Sequence, residues 1–173
     1  MMGMKMRQWI AAVLLAMAAV PAAAVLRVDI NSGIAAPMPI AVPAFATPAP
    51  APTAAGSTAE LGRQVASVIA NDLGSSGLFK PIDPAAFTTS VGYTDITKPN
   101  FGAWRTLAAQ ALVTGAVSIN PEGNIAVQCR VYDVFTSEPL AAQEFTTEPK
   151  GWRRAAHKCA DLVYSRLTGE TGY

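Results

Sequence analysis

Hydrophobic and polar positions fall into three regimes along the chain. Trp9 to Val20 is an apolar run with no charged side chain. At about a dozen residues it is shorter than the roughly 20 that span a bilayer. Lys5 and Arg7 precede it, and Pro21 with Ala22-Ala23-Ala24 follows, the layout of a cleavable export signal. Residues 1–24 are therefore expected to be removed after Ala24 and the remainder exported. In the second regime, Val25-Leu26-Arg27-Val28-Asp29-Ile30 alternates apolar with polar until Asn31-Ser32-Gly33 interrupts it. A free extended end of this kind can bind a partner by strand addition. It can equally be a first strand that joins its own sheet.

The third regime, residues 34–173, has the varied periodicity of a folded domain. Pro37 to Phe45 predicts a Pro-broken strand, which its prolines place at an edge or a strand start. Thr47 to Gly56 is Ala, Pro and Thr without charge, a surface loop of polyproline character. Ser57-Thr58-Ala59-Glu60 is a capping box, and Leu61, Val65, Val68, Ile69 and Leu73 follow at helical spacing. Gly74 or Gly77 can close that helix. Leu78 to Ile82 is a short extended piece, and Asp83 to Phe87 a turn into a brief helix. Asn100 is expected to cap a helix reaching Gln110, with Trp104, Leu107 and Ala108 inward.

Ala111 to Ile119 is a β run, and Asn120-Pro121-Glu122-Gly123 a hairpin turn. Ile125, Val127, Cys129 and Val131 then alternate with Ala126, Gln128, Arg130 and Tyr132, marking a strand with one buried face. Pro139 to Thr147 is a further strand. Thr147 is expected to cap the last helix, whose apolar stripe is Trp152, Ala156, Cys159, Leu162, Val163 and Leu167 and whose stop is Gly169. This order predicts an α/β two-layer sandwich, a mixed β-sheet with helices packed on one face.

Composition narrows the picture by exclusion. The net charge is +1. Without Lys5 and Arg7, eleven basic and twelve acidic residues remain, too balanced to form a footprint for nucleic acid or an anionic membrane. No second long apolar run follows, so no membrane insertion is expected after the leader is removed. Cys129 and Cys159 are the only cysteines. Export permits a disulfide between them. Helix and sheet axes lie about 10 Å apart, however, and a disulfide needs Cα atoms within roughly 7 Å. Two buried thiols are favoured on that ground, with the disulfide left open.

Candidate chemistry is sparse. His157 is the only histidine, in line with Arg153 and Asp161 on the polar side of the last helix. A solvated helix face explains it better than a general base does. One His and two distant Cys do not make a zinc site. There is no glycine-rich phosphate loop and no Gly-x-Ser-x-Gly elbow. Asp29, Asp72, Asp83, Asp95 and Asp133 fall on different elements, and Asp133 suits a turn. Trp104 and Trp152 suit the core. No enzyme, metal or cofactor is expected.

Several ordered motifs carry a resemblance. Leu26-Arg27-Val28-Asp29-Ile30 and Ala36-Pro37-Met38-Pro39-Ile40-Ala41-Val42-Pro43 resemble the start of mature members of the TolB family, the periplasmic component of the Tol–Pal envelope system. Asn71 to Asp83, Ala109 to Gly115, Tyr132-Asp133-Val134-Phe135 and Leu167 to Tyr173 resemble later family motifs. The resemblance implies a non-enzymatic interaction module that supports outer-membrane integrity and constriction at division. It implies that the arm binds the C-terminal domain of TolA through Val25, Leu26, Arg27, Val28, Asp29, Ile30, Asn31, Ser32 and Gly33. Family members continue into a β-propeller that carries most of the surface for the lipoprotein Pal. The chain ends at Tyr173 and is expected to be the N-terminal domain only, which leaves Pal binding without support. The alternative is a domain that orients a missing propeller, with the arm as an ordinary edge strand. A third class, an enzyme or carbohydrate-binding domain, requires a cleft with converging polar groups.

Overall fold

The computed structural model describes Leu26 and residues 36–170. Its elements are β1 (Met38–Ala41), β2 (Pro52–Thr53), β3 (Gly56–Ser57), α1 (Thr58–Ser75), β4 (Phe79–Pro81), α2 (Phe101–Thr106), β5 (Ala111–Ile119), β6 (Ile125–Asp133), β7 (Pro139–Thr147) and α3 (Trp152–Thr168). Five strands form one mixed sheet in the order β4-β1-β5-β6-β7. β1 runs parallel to both β4 and β5, while β5, β6 and β7 form an antiparallel meander. The α/β sandwich expected from the pattern is present.

Of the two places its prolines allowed, an edge or a strand start, β1 takes the second: Pro37 directly precedes it and Pro39 is its second residue. It lies between β4 and β5. The ladder tolerates Pro39 because of where its missing donor falls. Met38 donates to the Leu78 carbonyl and Ile82 to the Ile40 carbonyl, so these residues serve the β4 side. Pro39 faces β5 and needs only its carbonyl, which accepts from Gln110 just before the β5 register begins at Ala111.

The main core lies between the sheet and α1 with α3. Ile40, Val65, Ile69, Val113, Val127, Val131 and Val163 are among its fully buried members. Ser57 caps α1 by accepting from the Glu60 amide at 3.2 Å, and Gly77, at φ 73°, lets the chain leave the helix. Gly169, at φ 81°, does the same for α3.

The opposite sheet face is also covered, toward the Asp133 end. Ala41, Leu112, Ala116, Tyr132 and Val134 pack against Val91, Ile96, Trp104 and Ala109 of the connection before β5. Two side chains anchor that connection. The Thr114 hydroxyl (3.0 Å) and the Tyr132 hydroxyl (2.8 Å) both donate to the Ile96 carbonyl. The single buried face predicted for β6 is thus incomplete, because Ala126 and Tyr132 are buried as well.

Three local expectations change. α2 ends at Thr106 rather than reaching Gln110, and Asn100 makes no side-chain cap. Ala108 takes a φ of 56° there, turning the chain so that Gln110 can pair with Pro39. Thr147 does not cap α3. A 3-10 turn at Pro149–Gly151 intervenes, and Gly151 takes the cap position without a side-chain bond. The Ala/Pro-rich segment 47–56 is a small knit structure. β2 pairs with β3, and the buried Thr58 hydroxyl accepts from the Ala51 amide at 3.0 Å.

Cys129 and Cys159 form a disulfide, with Cα atoms 5.9 Å apart. The preference for two thiols assumed a standard helix–sheet spacing. Ala155, Ala156 and Ala160 are all buried around Cys159, and these small side chains let α3 sit low on the sheet. A sheet-facing Cα is also about 2.3 Å nearer the sheet than its helix axis.

Candidate functional site

The partner-binding arm expected from sequence falls almost wholly outside the described residues. Val25, Arg27, Val28, Asp29, Ile30, Asn31, Ser32 and Gly33 are not described. Leu26 is half-buried and packs against the main core.

A concavity lies where the end of α1 meets α3. It holds about 440 Å³ and is lined by Asp72, Leu73, His157, Ala160, Asp161 and Tyr164, with Ser75 and Ser76 at the rim. His157 Nδ1 lies 2.6 Å from Asp72 Oδ2, although the imidazole is 55% exposed. Sequence reasoning left His157 on a solvated face, because its partner is 85 residues away on another helix. No local spacing could reveal that pair.

A histidine, an aspartate and two serines in one groove invite comparison with a nucleophilic triad, but the hydroxyls are otherwise engaged. Ser75 donates to the Asn71 carbonyl at 2.8 Å and Ser76 to the Leu73 carbonyl at 2.6 Å. An activated serine must instead donate to its base. The His157–Asp72 pair links two helices and activates no described nucleophile. Nor, among the described residues, do three His, Cys, Asp or Glu side chains gather as metal ligands would.

The Asp161 carboxyl titrates above its ordinary value. Burial is the main cause, the Asp72 charge adds to it, and His157 opposes both. An acid whose pKa is higher folded than unfolded destabilises the fold as pH rises through those two values. Asp161→Asn is therefore expected to raise stability at neutral pH, by less than about 1 kcal/mol at so open a site. The gain should vanish below about pH 4, where the native carboxyl is protonated in both states. Thermal melts of both proteins across that range check this; an asparagine variant less stable at pH 7 would contradict it.

Asp133 has the turn role its position suggested. Its carboxylate accepts from the Phe135 (2.8 Å) and Thr136 (3.0 Å) amides. Trp104 is fully buried, and its ring meets Phe87 edge-on at 5.1 Å. Trp152 is also core. Among the described residues no helix is long and apolar enough to cross a membrane.

Among the described residues these features define a small α/β sandwich domain with a helix–helix groove and, at β7, a sheet edge without a strand neighbour. Comparison with known proteins narrows the class. The TolB amino-terminal domain family matches residues 26–140. The Tol-Pal system protein TolB of Rhizorhabdus wittichii is 51% identical over 170 residues, covering 98% of this chain and 38% of that protein. Its counterpart in Zymomonas mobilis subsp. mobilis is 54% identical over 149 residues, covering 86% and 32%. The crystal structure of TolB from Acinetobacter baumannii superposes with a TM-score of 0.60 at 22% identity, over 80% of this chain and 30% of that one, which shows the shared fold. The chain belongs to the TolB amino-terminal domain family. It spans about a third of the length of the curated relatives it matches.

Proposed function

We propose that the chain is a non-enzymatic, periplasmic protein-interaction module of the Tol–Pal system. Its working element is the arm Val25–Gly33, which binds the C-terminal domain of TolA. The observation that carries this reading is the extended match to proteins named for that system, through a domain family whose match begins at residue 26. Export follows from the leader at residues 1–24, with cleavage freeing Val25 as the new end.

The mechanism is strand addition. Backbone amides of the arm pair with a sheet edge of TolA, Leu26, Val28 and Ile30 fill shallow apolar sites, and Arg27 and Asp29 stay at the rim. β1 fixes where the arm departs, because it is bonded on both sides. Ordering a free segment costs about 2–5 kcal/mol of the gross interaction energy, so the contact is modest and reversible. Titration of purified TolA C-terminal domain is expected to give saturable binding to the leader-free chain. Deleting residues 25–33 should lower affinity by at least about 100-fold, the loss of some 2.7 kcal/mol. Undiminished affinity would refute the assignment.

The half-burial of Leu26 against the core favours a second reading, in which the arm is an ordinary part of a domain that positions a propeller. Backbone NMR separates the two. An exchanging arm agrees with partner binding, and an arm as ordered as β1 agrees with the structural role.

A further inference from the structure

The two edges of the sheet are built differently. β4 is three residues long and ends on Pro81, which has no amide to offer a neighbour. Short edge strands and proline are usual devices for closing an edge. β7 at the other edge is nine residues long and largely exposed, and its only proline is at its start. Nine residues present a ladder of about 30 Å. β6 serves one side of β7 through a register from Ile125↔Thr147 to Tyr132↔Pro139. The other side has no strand neighbour among the described residues.

A row of positive charge accompanies this open edge. α3 runs antiparallel to β7, so Arg154 and Lys158 lie beside Glu144–Thr147, where they line a hollow of about 310 Å³. Two turns further on, Arg166 reaches the β7 end and donates from Nε to the Leu140 carbonyl at 2.6 Å. Arg154, Lys158 and Arg166 are exposed, and no acid of the described residues forms an ion pair with them. Their four- and eight-residue spacing keeps them on one side of the helix. The one acid on β7, Glu144, is held toward the other sheet face by Gln128, whose amide donates to it at 3.0 Å.

We propose that the free edge of β7 receives an extended acidic segment of a partner protein by strand addition, with its carboxylates set against Arg154, Lys158 and Arg166. The site is separate from the arm at Val25–Gly33. There this chain lends a strand to another sheet; here it accepts one. Charge decides the occupant. A second copy paired through β7 about a two-fold axis would bring two α3 basic rows together, and like charges at close range oppose that assembly. An alternating acidic strand puts every second side chain on the α3 face, where the positive row lies.

Short synthetic peptides test this on the whole chain. One alternates valine with glutamate, the other valine with lysine. At low salt the glutamate peptide is expected to bind at least about 10-fold more tightly, and the preference should shrink as salt screens it. Peptide binding should slow amide exchange in β7. A variant carrying Arg154→Glu and Lys158→Glu, both exposed and outside the core, should reverse the preference. Four results would overturn the proposal: no binding of the glutamate peptide, equal binding of both peptides, binding without β7 protection, or a peptide-free dimer whose β7 amides are already protected.

Discussion

Replacing both Cys129 and Cys159 with alanine is expected to cost about 3–4 kcal/mol of folding stability. That figure follows from the chain-entropy relation for a cross-link whose partners are 30 residues apart. For a domain of this size it corresponds to a fall in Tm of about 10 °C. The location of the bond argues for the full effect. Cys129 is in the middle of β6, the strand between β5 and β7, and Cys159 is in the middle of α3. Both are fully buried. The bond therefore ties one of the two covering helices to the sheet, across a loop that includes β7 and its turn. Reduction of the native chain should reproduce the variant's loss, since alanine leaves no unsatisfied polar atom. Urea unfolding with and without reductant measures both. A variant melting within about 1 °C of the native chain would mean that the helix is held by packing alone.

The route by which sequence reasoning disfavoured this bond shows where local pattern fails. β5, the Asn120–Gly123 turn, β6 and β7 were legible because their signals are periodic and adjacent. So were α1, its stop narrowed to Gly74 or Gly77, and the stop at Gly169, where only the local backbone matters. The sheet order was not legible. Pro39 signals an edge or a strand start by its chemistry, and which of the two holds depends on where β5 begins to pair. The disulfide, the His157–Asp72 pair and the twice-used Ile96 carbonyl join residues 30, 85 and 18 to 36 positions apart. Each depends on how closely two elements approach, which for the disulfide is set by the small residues around Cys159. The arm was legible only through its motif; its alternation alone suits an ordinary strand equally well.

Phe45 supplies the second large prediction, because two glycines make room for it from opposite sides. A Cβ on Gly62 would stand 2.1 Å from the Phe45 carbonyl oxygen, inside van der Waals contact. α1 crosses the chain so closely there that the Phe45 amide donates to the Gly62 carbonyl at 3.1 Å. A Cβ on Gly115 would meet the Gln128 carbonyl oxygen at 2.1 Å and the Phe45 ring at 2.3 Å. Gly62→Ala gains about 1 kcal/mol of helix propensity. It must move a whole helix away from a backbone carbonyl, so a net loss of about 2 kcal/mol is expected. Gly115→Ala has no such relief, since β5 is bonded on both sides and cannot shift without breaking ladder bonds. Its expected cost is about 3 kcal/mol or more. Truncating Phe45 to leucine distinguishes this mechanism from simple overpacking. If the ring alone were the obstacle, Phe45→Leu would rescue Gly115→Ala. Because the nearer obstacle at each glycine is a main-chain oxygen, neither variant should be rescued. Denaturant midpoints of the singles and doubles decide the matter, and recovery of most of the lost stability in the Phe45→Leu, Gly115→Ala double would show that the strand backbone can yield.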